Sequence, residues 1–289
     1  MADPQPLGGG IARIFEGAAS CGERLILRLH GRSGGPMLVY LPGLHGDWTL
    51  VGGLRAALGS EVGFAEFTYP RTVTWTLSEY ARAIEEVLET AGVGSGWVLA
   101  ESFGSQIAWD LCARATRFAP RGLILAGGFG RYPIPWALRL GIEVGRRFPL
   151  KWFRDPLRAY AVLSRWRLGG APERVADLAE FVGRRTEEDR QAAVHRLRLI
   201  AGNDPAELAG EVRLPVYYLT GLFDPIVPWP WIPGWLRRHC PGFRAWRMVW
   251  ASDHTVLGSG RRAAARAILG WVKDGAEVPG VGGESSGCG

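Results

Sequence analysis

The feature that most constrains this chain is the alternation of short, continuously apolar runs with stretches of helical period. RLILRL (Arg24 to Leu29) and MLVYL (Met37 to Leu41) are followed by VGFAEF (Val62 to Phe67) and WVLA (Trp97 to Ala100). LILA (Leu123 to Ala126), VYYLT (Val216 to Thr220) and FRAWRMV (Phe243 to Val249) complete the set. Several are apolar at consecutive positions, which a strand requires only when both of its faces are covered. Helical stretches fill the gaps. Leu77 to Glu89 is apolar at helical period behind a Thr76/Glu79 capping-box spacing, and the Ala-rich Arg261 to Val272 reads as a last helix. The expected fold class is α/β: a doubly wound, mainly parallel sheet with helices on both faces.

One interval breaks the alternation. Between Arg131 and Glu211 lie helical stretches such as WALRLGIEVGRRF and TEEDRQAAVHRLRLIAG and no convincing strand. Ordinary αβ connections are far shorter, about 2–6 residues. Residues 131–211 are therefore expected to form an inserted helical cap over the C-terminal edge of the sheet, leaving 1–130 and 212–276 as the core. Residues 1–10 and the tail 277–289 are Pro- and Gly-rich and are expected to be loose and without chemistry.

Composition removes several classes of function. The net charge is +6, but only Lys151 and Lys273 are lysines, and the arginines are scattered singly or in pairs such as Arg146-Arg147. No basic run is interleaved with aromatics, so nucleic acid is not an expected partner. Cys21, Cys112, Cys240 and Cys288 form no CxxC pair, so neither a zinc site nor a disulfide framework is expected. The N-terminal MADPQPLGGG lacks the pattern of a signal peptide, and no apolar run reaches the ~18 residues of a membrane span. No integral membrane segment and a cytoplasmic location are expected.

The strongest chemical signal is Ala100-Glu101-Ser102-Phe103-Gly104, directly after WVLA and before SQIAWDLCARA. A serine on a tight strand-to-helix turn needs small residues two places before and after it, here Ala100 and Gly104. Taken alone, the pentapeptide also suits a serine that caps a helix. Gly221-Leu222-Phe223-Asp224-Pro225 follows VYYLT and places Asp224 at a strand's C-terminal end, where doubly wound sheets bind ligands. A turn aspartate before proline is the plainer reading of that stretch. His254, in Ser252-Asp253-His254-Thr255, follows the last strand. Serine, aspartate and histidine, each at the end of a strand, are the parts of a nucleophilic relay. His30, His195 and His239 follow no late strand.

With these motifs the chain resembles the α/β-hydrolase superfamily from about Leu25 to Val272. The elbow matches GxSxG with Ala100 in place of the first glycine, and Gly221 to Val227 looks like the GxxDxxV turn of the triad acid. The residue before the histidine, often glycine, is Asp253. The resemblance implies Ser102 as nucleophile, His254 as general base and Asp224 as the acid orienting it, with no metal or organic cofactor. It also implies an oxyanion hole from the backbone N–H groups of Phe103 and of Leu44, the latter in Leu41-Pro42-Gly43-Leu44-His45-Gly46-Asp47.

His45 reads foremost as a surface loop residue, and Glu101 and Asp110 as structural carboxylates. Tyr132 to Trp136 and Trp229 to Pro233 bring aromatics near the expected mouth. His45, Phe129, Trp136 and Trp231 are the candidate substrate-binding side chains for an apolar acyl or alkyl chain; packing of cap onto sheet accounts for such aromatics equally well. The expected activity is carboxylic ester hydrolysis on a small-molecule substrate with a short to medium acyl chain. Thioesterase, carbon–carbon hydrolase, cofactor-free haloperoxidase and acyltransferase chemistry use the same triad, and a catalytically silent ligand-binding protein is the non-enzyme alternative. A serine at the elbow argues against dehalogenases and epoxide hydrolases, which use aspartate there.

Overall fold

The computed structural model describes residues 13–18, 24–31, 35–147 and 180–276. Its strands are β1 (Arg13–Ala18), β2 (Arg24–His30), β3 (Met37–Leu41), β4 (Gly63–Thr68), β5 (Ser95–Glu101), β6 (Ala119–Ala126), β7 (Val216–Gly221) and β8 (Phe243–Val249). They form one sheet in the order β1-β2-β4-β3-β5-β6-β7-β8. β2 runs antiparallel to both β1 and β4, and every pair from β4 through β8 is parallel.

All seven apolar runs lie in strands, and their consecutive apolar residues divide between two cores. Val98, Leu123 and Leu125 face the core under α2 (Leu77–Thr90), α3 (Gly104–Arg114) and a later helix, whereas Leu99, Ile124 and Ala126 face the opposite one. That second core is closed by Leu54 and Leu58 of α1 (Gly52–Leu58) and by Ala264, Ile268 and Val272 of the C-terminal helix. Burial on both faces is why these strands do not alternate. β1 was not anticipated: it is an edge strand whose Ile14 is 60% exposed, so it carries no continuous apolar signal.

α2 starts at the expected capping box, with Glu79 Oε2 accepting the Thr76 N–H at 2.7 Å and Thr76 Oγ1 accepting the Glu79 N–H at 3.3 Å. Beyond β6 come α4 (Pro135–Arg147), α5 (Glu187–Gly202) and α6 (Ala206–Glu211). α4 and α5 pack against each other. The described part of 131–211 holds no strand, and 148–179 lie outside the described residues, as do 1–12 and the tail 277–289. After β7 come α7 (Ile232–His239), whose Leu236 joins the first core, then α8 (Val256–Ser259) and α9 (Arg261–Ala276) behind β8. Among the described residues no helix is long and apolar enough to cross a membrane.

Candidate active site

Ser102 sits between the end of β5 and the first turn of α3, with φ +48, the sole non-glycine residue with positive φ among those described. An L-residue in this region carries about 1–2 kcal/mol of steric strain. The surroundings hold it there: the Ser102 N–H donates to Ala126 O of β6 at 3.1 Å, and the Ser105 N–H donates to Ser102 O at 3.0 Å. The small neighbours have identifiable causes. A Cβ on Gly104 would lie 2.4 Å from Leu41 O and 2.9 Å from Pro42 O, both backbone atoms that cannot step aside. Gly104→Ala is accordingly expected to destabilise the protein by about 1–3 kcal/mol and to lower its urea midpoint; an unchanged midpoint would show that β3 and α3 can separate freely.

The last two motifs converge on the serine. His254, in the loop between β8 and α8, places Nε2 at 2.9 Å from Ser102 Oγ, and its Nδ1 at 2.8 Å from Asp224 Oδ2. With Nδ1–H donated to the carboxylate, Nε2 is left to accept the serine proton. The Asp224 side chain is fully buried, and its other oxygen accepts the N–H groups of Ile226 (2.8 Å) and Val227 (2.9 Å), which fixes its plane. The histidine loop is fixed as well. Asp253, where the superfamily often has glycine, accepts the Thr255 N–H at 3.0 Å and hydroxyl at 2.8 Å. Burial pulls the His254 pKa down, but the charge and hydrogen bond of Asp224, aided by Glu101, outweigh it and leave the imidazole above its ordinary value.

On the other side of Ser102 lies the loop after β3. The Gly46 N–H donates to Gly43 O at 2.9 Å, closing a turn around Leu44, and Gly43 abuts Ser102: a Cβ there would lie 3.4 Å from Ser102 Cβ. Phe103 is the N-cap residue of α3, at the helix end where backbone donors lack intrahelical acceptors. Glu101 accepts a hydrogen bond from the Tyr40 hydroxyl; burial raises its pKa against the opposing influence of Tyr40 and His254. Asp110 is also engaged internally, accepting from Ser78 Oγ at 2.6 Å. A groove of about 220 Å³ beside Asp110, between α2 and α3, shares no residue with this site.

The remaining candidates do not all stand where the sequence suggested. His45 is half-buried rather than fully exposed: Phe181 meets its ring edge-on at 4.9 Å, and burial together with nearby Arg185 lowers its pKa to about 4. Phe129 is 1% exposed and belongs to the core; its carbonyl accepts from Gln106 Nε2 at 3.0 Å and Trp109 Nε1 at 3.1 Å. A core position, not a wall open to substrate, is therefore where the structure puts it. Trp136 and Trp231 are 68% and 60% exposed. The stretch carrying Trp136 is tied to the Asp224 turn by Tyr132, whose hydroxyl donates to Ile226 O at 2.6 Å. His30 and His195 have structural partners, Glu66 at 3.0 Å and Trp75 O at 2.8 Å, while His239 packs on Trp235. Among the described residues no cluster of His, Cys, Asp or Glu is placed to hold a metal ion.

Sequence reasoning missed two buried arginines. Arg185 pairs with Asp47, and Arg196 reaches Leu44 O at 2.8 Å. Arg196 and the exposed Arg198 stand two places apart in HRLRLI, and nothing in that pattern separates them.

No family model and no curated protein matches this sequence. Solved structures are similar to it in shape. An esterase from Exiguobacterium antarcticum has a TM-score of 0.73 at 14% identity, over 92% of this chain and 100% of the other. An enol-lactonase from Burkholderia xenovorans has a TM-score of 0.73 at 18% identity, over 89% and 99%. A thermophilic esterase from Thermogutta terrifontis has a TM-score of 0.70 at 20% identity, over 91% and 99%. Strand order, helices on both faces and these likenesses define the class: this chain has the α/β-hydrolase fold.

Proposed function

We propose that this protein is a serine hydrolase that cleaves carboxylic esters through an acyl-enzyme on Ser102. The observation that carries the proposal is the unbroken relay from Asp224 Oδ2 through both nitrogens of His254 to Ser102 Oγ, at 2.8 and 2.9 Å. Ser102 Oγ attacks the ester carbonyl carbon as His254 Nε2 takes its proton, and the carbonyl oxygen becomes an oxyanion facing the N–H groups of Leu44 and Phe103. Collapse breaks the bond to the alkoxide oxygen, which leaves as the alcohol with the proton from His254. Water, deprotonated by the same nitrogen, then attacks the acyl-enzyme, and the acid departs with Ser102 restored. Asp224 keeps the imidazole in the tautomer this requires and stabilises its charged form.

The names of the similar structures, two esterases and an enol-lactonase, support this reading, because an enol-lactone is itself a cyclic ester. Residues 131–211 act in it as a helical cap, and the exposed aromatics Trp136 and Trp231 suit an apolar acyl chain of short to medium length. A panel of p-nitrophenyl esters from acetate to palmitate, with thioesters alongside, tests both parts. Fastest turnover is expected on short to medium oxygen esters; preference for thioesters or palmitate would replace the substrate assignment. A fluorophosphonate probe should label the wild-type protein and fail on Ser102→Ala, whereas an unlabelled folded wild type would identify a ligand-binding protein without turnover.

A further inference from the structure

Arg196 is the most buried arginine among the described residues, at 1% exposure. It is carried by α5, inside the segment that interrupts the sheet, and its guanidinium reaches back beneath the loop after β3. Nη1 donates to Leu44 O at 2.8 Å, Nη2 to Pro70 O at 2.8 Å and Nε to the Tyr80 hydroxyl at 3.3 Å. These acceptors are neutral, and no ion pair joins Arg196 to a carboxylate among the described residues. The rings of Tyr69, Tyr80 and Phe103 surround the charge at 5.4, 6.0 and 6.0 Å. Burying a charge without a counter-ion destabilises a fold. The same low-dielectric surroundings make its field strong.

What this charge holds is the Leu44 turn. Gly43 O accepts the Gly46 N–H at 2.9 Å, Gly46 O accepts the Tyr69 N–H at 2.8 Å, and Arg196 takes the Leu44 carbonyl between them. Peptides on both sides of Leu44 are thereby fixed. Loop and guanidinium are fitted to each other: Gly46 has φ +71, and a Cβ there would lie 2.6 Å from Arg196 Nη1. Phe103, the neighbour of the nucleophile, presents its ring to the same guanidinium.

We propose that Arg196 is a positioning residue for the oxyanion hole, setting the Leu44 peptide from below and placing its positive charge behind the site where the oxyanion forms. The proposal rests on the acyl-enzyme reading above. Its field acts on a charge that exists only in the tetrahedral intermediate, so it favours that state over bound ester and belongs to kcat more than to KM.

The test compares Arg196→Met and Arg196→Lys with the wild type, with active sites counted by fluorophosphonate titration so that rates are per folded site. Arg196→Met is expected to lower kcat on the best p-nitrophenyl ester by about 10- to 100-fold, less than the ~10²–10³ lost with a donor itself, with KM within about threefold. Binding of an alkyl trifluoromethyl ketone, which adds to the serine as a charged tetrahedral adduct, should weaken in parallel, while the matching methyl ketone binds as before. Arg196→Lys keeps the charge but not the fork and should fall between the two. An arginine with a merely structural role would change the melting temperature and the number of titratable sites without changing either per-site quantity. Per-site kcat within about twofold of wild type in the folded variants overturns the proposal; where Arg196→Met does not fold, Arg196→Lys decides by the same criterion. A wild-type protein that takes no label sinks the triad reading and this inference together, whereas a labelled wild type with unchanged variants sinks the inference alone.

Discussion

Ser102→Ala is expected to lose about 10⁵–10⁶ of kcat on the best p-nitrophenyl ester while folding to the same structure, because attack and proton relay fail as a unit once the nucleophile is gone. The backbone adds a second, independent expectation. At φ +48 a residue with a Cβ is strained and glycine is not, so Ser102→Gly should be equally inactive yet more stable than Ser102→Ala by about 1 kcal/mol. Paired urea titrations and initial rates measure both effects. Residual activity above about a hundredth of wild type in either variant would remove Ser102 from the role of nucleophile.

Asp224→Asn carries the second large effect. The amide keeps the shape of the carboxylate but loses its charge and turns imidazole toward the wrong tautomer, so kcat/KM should fall by about 10⁴-fold. The sign of the pH effect follows from what surrounds His254. Burial alone lowers its pKa, and the net elevation above 6.5 comes from Asp224 first and Glu101 second. The base works when neutral, so wild-type kcat/KM should rise with pH through a midpoint above 6.5. In Asp224→Asn desolvation is left less opposed, and that limb should move to lower pH even as the plateau collapses. Profiles of kcat/KM from about pH 4 to 9 give the readout. An acid limb that stays in place would mean that a group other than His254 sets it.

The sheet was legible because its central strands are covered on both faces, which forces apolar residues into consecutive positions, as in Val98-Leu99 and Leu123-Ile124-Leu125. The strand that escaped, β1, is an exposed edge whose RIFEGA has no such run. The proposed triad was legible for a related reason: Ser102, Asp224 and His254 each follow a strand that reads clearly, so position along the chain reports position in space. Packing around the site has no such link. His45 looks like any loop histidine, and only the arrival of Phe181 and Arg185 from a distant stretch encloses it. Phe129 follows β6 as an aromatic near the mouth would, but Ser105, Gln106 and Trp109 of α3 draw its backbone into the core. Arg196 could be told from Arg198 only by knowing which face of α5 meets Tyr69 and Tyr80.

The groups of the relay hang from β5, β7 and β8, while the long excursion, helical in its described parts, leaves after β6 and returns before β7. If the proposed function holds, reaction and selectivity are written in different stretches of chain. On the proposed reading, mutant libraries confined to the excursion should change which molecules are accepted while the bond-breaking step stays constant, and position 196 is a place there where a library aimed at selectivity would damage the chemistry instead.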